Sequence, residues 1–357
     1  MKILQIMPEF GLAGAEIMCE NLVYELTKLH QEVIVVSLYN YHSAITDRLE
    51  RNGIRVIYLD KKPGLDFSMV IKLIELIKKE NPDVVHTHRY VMQYVIPATI
   101  FTGVRKKIHT VHNVAEKENT AIARRLNSIF YKYFDVIPVA LSSEIRRTIE
   151  KEYRLSQERI PVVLNGIDVS KCKKKINYEI VDTLKVIHVG RFSHQKNHKC
   201  LIEAYYKFSN NYAHASKLIL IGDGELREEI KSMVEKMGMN ELVEFRGLKD
   251  DVFDDLNESD IFVLPSQYEG VPMTLIEAMG TGMPIIATRV GGIPDMLIDK
   301  KEAFLIENDP NCLYEALMKL AEDVNLRKSF GERVKTKSTL FSSKRMAELY
   351  LKIYSGE

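Results

Sequence analysis

Two glutamates, Glu269 and Glu277, stand eight positions apart in "PSQYEGVPMTLIEAMGTGMP", Pro265 to Pro284, a stretch otherwise apolar or small. An acid within an apolar helix needs a partner, because an uncompensated buried charge is costly. Pro272 has the fixed φ suited to a first helical turn, so "PMTLIEAMG" is predicted to open a helix that Gly280 or Gly282 ends. Thr274 and Glu277, three apart, would share its one polar face, while Met273, Leu275, Ile276, Ala278 and Met279 cover the others. The amides of Met273, Thr274 and Leu275 would point out of the helix start and form an anion site, which the preceding Gly270 lets a ligand approach closely, with Val271 next to it counted among the binding residues. Such a site suits a diphosphate. Glu277 would follow about 7 Å along the axis at ~1.5 Å per residue, roughly the span from a phosphate to an adjoining ribose, whose two hydroxyls a carboxylate can accept. Glu269 precedes the helix and would face the group being transferred. A solvated glutamate is the competing reading of Glu277.

Cations for the same diphosphate are offered by Arg191 and Lys196, which follow the strand-like "LKVIHVG" that ends in Gly190; ordinary surface residues are the alternative on spacing alone. "FGLAGAE" places Gly11 and Gly14 between a strand pattern and a helix, where backbone could approach phosphate, although a plain strand-to-helix turn fits as well. His86 and His88 in "DVVHTH" would share one strand face as a metal pair, but no third ligand accompanies them, so no metal is expected.

These groups must be held by a scaffold, and its rhythm is visible. "KILQIM", "VIVVSL", "IRVIYL", "DVVHTH", "KKIHTV", "DVIPVA" and "IPVVLN" alternate with helical patterns before Gly166. The lysine-rich stretch from Asp168 to Asp182 carries no strand pattern and reads as a domain boundary. "LKVIHVG", "KLILIG", "VEFRG", "DIFVLPS" and "PIIATR" then resume the rhythm. Two tandem doubly wound α/β domains of Rossmann type are expected, with ligands at the C-terminal strand ends and chemistry in a cleft between the domains.

The 357 residues are 46% hydrophobic and suffice for two cores. Fifty basic against 49 acidic residues leave +1, so no global attraction to nucleic acid arises and charged partners must be met locally. Cys19, Cys172, Cys200 and Cys312 form no CxxC pair, which fits a reducing cytoplasm without disulfides or a zinc knuckle. Met1-Lys2 leads into an apolar run too short for a signal peptide, and no apolar run is long enough to span a membrane, so a soluble or peripheral protein is expected.

"EGVPMTLIEAMGTGMPIIAT" resembles the E-x7-E signature of retaining, nucleotide-sugar-dependent glycosyltransferases of family 4 (group 1) with the GT-B fold; "VGRFSHQKN", "LNGID" and "IGDGELREEI" resemble further motifs of that family. The resemblance implies an acceptor-binding domain of residues 1–168, completed by a last helix at 341–357 that crosses back to it, and a donor-binding domain of residues 169–340. It assigns Arg191 and Lys196 to the leaving diphosphate and implies a UDP-sugar donor and no metal. His112 in "TVHN" matches a family histidine facing the donor sugar, with a packed, hydrogen-bonded histidine as the even alternative. Many relatives carry Gly-Gly and an arginine after the glutamate where this chain has Ala13 and Ile17, so Gly14 carries over and an acceptor-binding arginine does not.

One region is strongly basic. Arg105, Lys106, Lys107, Lys117, Arg124, Arg125 and Lys132 oppose Glu116 and Glu118; on a helix, Ile122, Leu126, Ile129, Phe130 and Tyr133 form a stripe with Lys117, Arg124, Arg125 and Lys132 opposite. That pattern suits docking on an anionic bilayer carrying a lipid-linked acceptor, at the cytoplasmic face of the inner membrane; a solvated face is the plainer reading. The expectation is transfer of a sugar to a lipid-linked or other glycan acceptor of cell-surface polysaccharide or glycolipid. A nucleotide-sugar epimerase or hydrolase of similar fold, and a non-catalytic nucleotide-sugar-binding partner, are the alternatives.

Overall fold

The computed structural model describes residues 1–118 and 120–357. The chain divides into two compact units, Met1–Ile167 with Ser342–Glu357, and Asp168–Phe341. Each is built on one parallel six-stranded sheet.

In the first unit the strands are β1 Lys2–Met7, β2 Glu32–Ser37, β3 Arg55–Tyr58, β4 Val84–His88, β5 Lys106–Val111 and β6 Val136–Ala140, in the order β3-β2-β1-β4-β5-β6. Helices cover both faces, which is why the strands read as continuous apolar runs rather than alternations. Every residue of β4 is buried, including His86 and His88. "IPVVLN" is a correction to the expected set: it meets the sheet only through a bridge from Val162 to Ala140. Pro161 has no amide to donate, and its carbonyl instead accepts Ala140 N–H at 2.9 Å.

The second unit carries β7 Leu184–Val189, β8 Ser216–Ile221, β9 Val243–Gly247, β10 Ile261–Leu264, β11 Ile285–Thr288 and β12 Phe304–Ile306, in the order β12-β11-β10-β7-β8-β9. Three residues make β12, too few for a sequence pattern to announce. Both sheets have one topology: the order reverses between β1 and β4 in the first and between β7 and β10 in the second. Such a switch point leaves a crevice beyond the carboxyl ends of the two strands.

The last helix, Ser343–Ser355, belongs to the first unit, where it packs on the helix Gly14–Lys28 and buries Tyr350 and Tyr354 completely. Ser342 caps it through its side chain and Ile167 bridges to Ser342. Gly166 makes this junction possible, since a Cβ there would lie 2.5 Å from the Ser342 carbonyl oxygen.

The basic segment folds differently from the expectation. In the helix Ala121–Tyr133 the inward residues are Asn127, Phe130 and Tyr131, four and three apart, with Tyr131 edge-on to Tyr153. That choice keeps only Phe130 of the apolar stripe inside and turns the rest outward: Ile122 and Tyr133 are each 74% exposed, and Leu126 and Ile129 are exposed beside them. Of the cations, Arg124 is paired with Glu152 at 2.7 Å, and Lys107 is buried with its ammonium on the Val104 carbonyl. Arg105, Lys117, Arg125 and Lys132 are exposed. At ~100° per residue, Arg125 and Lys132 border the stripe instead of opposing it.

Replacing Gly166 by Ala should lower unfolding free energy by about 1–3 kcal/mol, the usual cost of forcing an extra carbon into packed structure. Urea unfolding of wild type and variant measures it; an unchanged midpoint means that the junction yields freely.

Candidate active site

The helix Met273–Thr281 starts just beyond β10, at the switch point of the second sheet. Pro272 is its N-cap, in extended conformation, rather than its first helical residue, and Gly282 ends it in the left-handed region. Thr274 and Glu277 alone are half-buried; every other residue of the helix is buried, so the polar face is where the spacing puts it. Leu275 does not offer a free amide as expected. Its N–H is donated to the Pro272 carbonyl at 3.2 Å, because the first turn tightens to i→i+3 bonding. The amides of Met273 and Thr274 remain, and beside them the Thr274 hydroxyl is buried without a hydrogen-bond partner among the described residues. Glu277, one turn on, is raised to about 7 chiefly by burial, with the negative charge of Asp251 adding to it.

Glu269 is 4% exposed and holds a dense set of contacts. One carboxylate oxygen accepts Lys196 Nζ at 2.6 Å and Ser266 Oγ at 2.6 Å, and the other accepts Gln195 Nε2 at 3.4 Å. Lys196 ends the single turn His194–Lys196 that follows β7, so the pair joins the loops beyond both strands that flank the switch point. The Glu269 loop is pinned by Gly291 from the segment after β11. A Cβ on Gly291 would lie 1.8 Å from the Glu269 carbonyl oxygen, and its φ of +54° is one that a side chain rarely adopts. Gly292 N–H donates to the Gly270 carbonyl at 3.1 Å, and Val271 is buried beside it. Gly190 leaves room for the lysine: a Cβ there would meet Lys196 Cδ at 3.3 Å. Arg191 stands apart from the ion pair, its side chain 73% exposed and held 3.2 Å from Glu225.

In the first unit, Gly14 opens the helix after β1, while a Cβ on Gly11 would meet open space, so packing does not demand glycine there. The two β4 histidines are engaged. His86 lies 2.7 Å from the Tyr354 hydroxyl and 2.8 Å from Thr110 Oγ1; His88 lies 2.8 Å from Gln5 Oε1 and 3.0 Å from His112 Nε2. Among the described residues no three His, Cys, Asp or Glu side chains group as a metal site. His112, after β5, donates its backbone N–H to Glu118 at 2.7 Å. Burial pulls its ring down to about 3 and pushes Glu118 up to about 8. Arg89, at the end of β4, is paired with the buried Glu16 of the helix Gly14–Lys28.

The sequence by itself gives no role to Ser266, Gln195, Glu225 or Gln5. Ser266 and Gln195 each lie within three residues of one to which it does give a role, in "PSQYEG" and "HQKN", and that adjacency is the only signal available for them. Gln5 and Tyr354 are 349 positions apart and become partners only through the fold.

Comparison with known proteins agrees with this architecture. The family model of glycosyl transferases group 1 matches residues 171–337, and that of glycosyltransferase family 4 matches residues 12–171. The UDP-Gal:alpha-D-GlcNAc-diphosphoundecaprenol alpha-1,3-galactosyltransferase of Escherichia coli is 31% identical over 279 residues, 72% of this chain and 71% of that protein. The N-acetyl-alpha-D-glucosaminyl L-malate synthase of Bacillus anthracis is 28% identical over 310 residues, 82% of this chain and 79% of that one. Among solved structures, Anabaena HepE in complex with UDP and glucose superposes with a TM-score of 0.88 at 18% identity, over 100% of both chains, which establishes the shared fold. With two parallel doubly wound units and both family models matched in tandem, the chain belongs to the group 1, or family 4, glycosyltransferases of the GT-B fold.

Proposed function

We propose that this glycosyltransferase is a retaining enzyme that transfers a sugar from a UDP-sugar to a lipid-linked or other glycan acceptor in cell-surface polysaccharide or glycolipid synthesis. The observation that carries the reading is the juxtaposition beyond β7 and β10. The ion pair of Lys196 with the buried Glu269, two helix-start amides, the Thr274 hydroxyl unpartnered among the described residues and Glu277 one turn on all belong to one switch point. The second unit (proposed as donor-binding, the first as acceptor-binding) thus has cations and amides for a diphosphate and a carboxylate for a ribose. The Escherichia coli relative's name specifies a UDP-galactose donor and a diphosphoundecaprenol acceptor, which supports the substrate class.

In the proposed step the bond from the anomeric carbon to the diphosphate oxygen breaks, and the acceptor hydroxyl oxygen bonds to the same face of that carbon. The hydroxyl proton passes to the departing phosphate oxygen. Charge then develops on the diphosphate, and Lys196, Arg191 and the amides of Met273 and Thr274 stabilise it without a metal ion. Glu269 keeps the Lys196 ammonium in place, and His112 faces the transferred sugar. An assay with a panel of UDP-sugars and lipid-linked acceptors, reading the anomeric configuration of the product by NMR, tests the whole. Inverted product overturns retention, and sugar nucleotide turned over without any acceptor favours a hydrolase or epimerase.

Glu277→Ala should weaken UDP binding by about 1.5–3 kcal/mol, the range for a hydrogen bond to a charged group. Because the free carboxyl titrates near 7 and only the carboxylate accepts both ribose hydroxyls, wild-type affinity should climb from pH 6 to 8. Glu277→Gln should lose that component of the pH dependence, leaving the component due to UDP itself. Calorimetric titrations at several pH values decide it, and parallel curves for the two proteins would remove the ribose assignment.

Lys196→Ala should cost about 100-fold or more in kcat, as for loss of a donor aimed at developing charge. UDP affinity should change less, since the amides and Glu277 still hold the nucleotide. Activity should persist in excess EDTA. Loss in EDTA with rescue by Mg²⁺ or Mn²⁺ overturns the metal-free step.

The outward stripe of the helix Ala121–Tyr133, bordered by Arg125 and Lys132, suits an anionic bilayer that presents the acceptor: the apolar residues enter the interface and the cations meet headgroups. Among the described residues no helix is long and apolar enough to cross a membrane. Sedimentation with anionic vesicles should be lost in Ile122→Ser/Ile129→Ser and in Arg125→Glu/Lys132→Glu, with UDP binding kept. Equal sedimentation by wild type and both variants returns the face to solvent.

A further inference from the structure

Buried side chains of the first unit form one unbroken chain of hydrogen bonds leading to His112. From the ring outward the contacts are His112 Nε2 to His88 Nδ1 at 3.0 Å, His88 Nε2 to Gln5 Oε1 at 2.8 Å, and Gln5 Nε2 to the Tyr354 hydroxyl at 3.2 Å. The Tyr354 hydroxyl then meets His86 Nδ1 at 2.7 Å, His86 Nε2 meets Thr110 Oγ1 at 2.8 Å, and Thr110 meets the Tyr350 hydroxyl at 2.7 Å. Burial keeps His86 and His88 well below the usual histidine range and His112 near 3, so all three rings are neutral at pH 7 and each carries one proton.

With one proton per ring, the orientation of the Gln5 amide, its oxygen toward His88 and its NH₂ toward Tyr354, sets the direction of the whole chain. Gln5 Oε1 can only accept, so the proton of His88 is on Nε2 and its Nδ1 is a lone pair. His112 must therefore carry its proton on Nε2 and donate it to His88, which leaves His112 Nδ1 unprotonated. In this orientation the Gln5 NH₂ group has an acceptor in Tyr354, whose own hydroxyl proton is taken by His86. Tyr354 lies in the last helix, far from His112 in sequence, and acts on it only through Gln5 and His88.

We propose that Gln5 and Tyr354 are positioning residues that fix His112 in its Nε2–H tautomer, so that the ring meets its substrate as a hydrogen-bond acceptor at Nδ1 and takes a hydroxyl of the transferred sugar. The last clause rests on the reading of His112 given above; the tautomer does not. A neutral Nδ1 acceptor orients a hydroxyl and supplies no proton to the leaving group, in keeping with a step whose proton passes between the substrates.

Long-range ¹H–¹⁵N correlation spectra of histidine-labelled protein report which ring nitrogen carries the proton, with His112 assigned from the signal missing in His112→Gln. In the free wild type, His112 should show a protonated Nε2 and an unprotonated Nδ1. Tyr354→Phe takes away the acceptor that orients Gln5, and should turn that signal into an average of both tautomers. Tyr350→Phe, on the same helix but beyond Thr110, should leave it unchanged. A proton on Nδ1 in the wild type, as a reversed Gln5 amide would give, or a Tyr354→Phe spectrum identical to wild type, overturns the proposal. Saturating UDP-glucose, UDP-galactose or UDP-N-acetylglucosamine should shift Nδ1 where UDP alone does not. No response to any of them overturns the contact with the sugar, while the tautomer result in the free protein stands separately. Where a donor responds, Tyr354→Phe should lower kcat about twofold to tenfold, the scale of one neutral hydrogen bond, with UDP affinity held.

Discussion

The Lys196–Glu269 ion pair is the constraint around which the second unit is arranged. A carboxylate removed from water and paired at 2.6 Å with a half-buried ammonium is tolerable only where its remaining hydrogen-bonding capacity is met, and a pair of this kind adds little stability by itself. Ser266 and Gln195 meet that need for the carboxylate. The backbone then has to bring both loops to one place, which requires the β7–β10 adjacency, the absence of a side chain at Gly190 and the close approach of Gly291 to the Glu269 carbonyl. Polar groups retained at such expense of packing are more readily explained by a ligand than by folding.

The sequence revealed the scaffold through its apolar runs and the site through its punctuation. Pro272, Gly282 and the lone polar pair Thr274 and Glu277 were legible because helix boundaries and faces follow from local geometry. What the spacing could not supply was the tightening of the first turn, which occupies the Leu275 amide, because that depends on the ψ that Pro272 adopts. The strand-like "IPVVLN" misled because its composition is right while Pro161 lacks a donor, and β12 escaped notice because three residues hold no period. The basic helix shows the limit most clearly. A stripe of five apolar residues would ordinarily be assigned to the core, yet with Tyr131 packed against Tyr153 only Phe130 of the five turns inward, beside Asn127, and the other four face out.

The two sheets share one topology and differ in what they hold at the switch point. Beyond β7 and β10 the side chains are ionised and the helix start presents unbonded amides, an environment suited to a ligand that brings negative charge. At β1, β4 and β5, beside the Arg89–Glu16 ion pair, runs a chain of neutral polar groups: three histidines, a glutamine, a threonine and two tyrosines, each bonded to the next. The fold therefore does not dictate the chemistry. It places the carboxyl ends of particular strands side by side, and the residues there decide whether the crevice favours charge.

Neutrality in the first unit has a physical consequence of its own. A buried charge can be oriented by any counter-charge nearby, but a neutral imidazole in a hydrogen-bonded chain takes its direction from the neighbours it is bonded to. Histidines, hydroxyls and even an amide can be satisfied in either sense; only mutual agreement along the whole chain selects one. Tyr350 and Tyr354 are supplied by the helix Ser343–Ser355, which meets the first unit at the junction where Gly166 lets the Ser342 backbone approach. The return of the chain to its first unit is thus more than a closing of the core: it delivers the hydroxyl against which Gln5, and through it two histidines, are set.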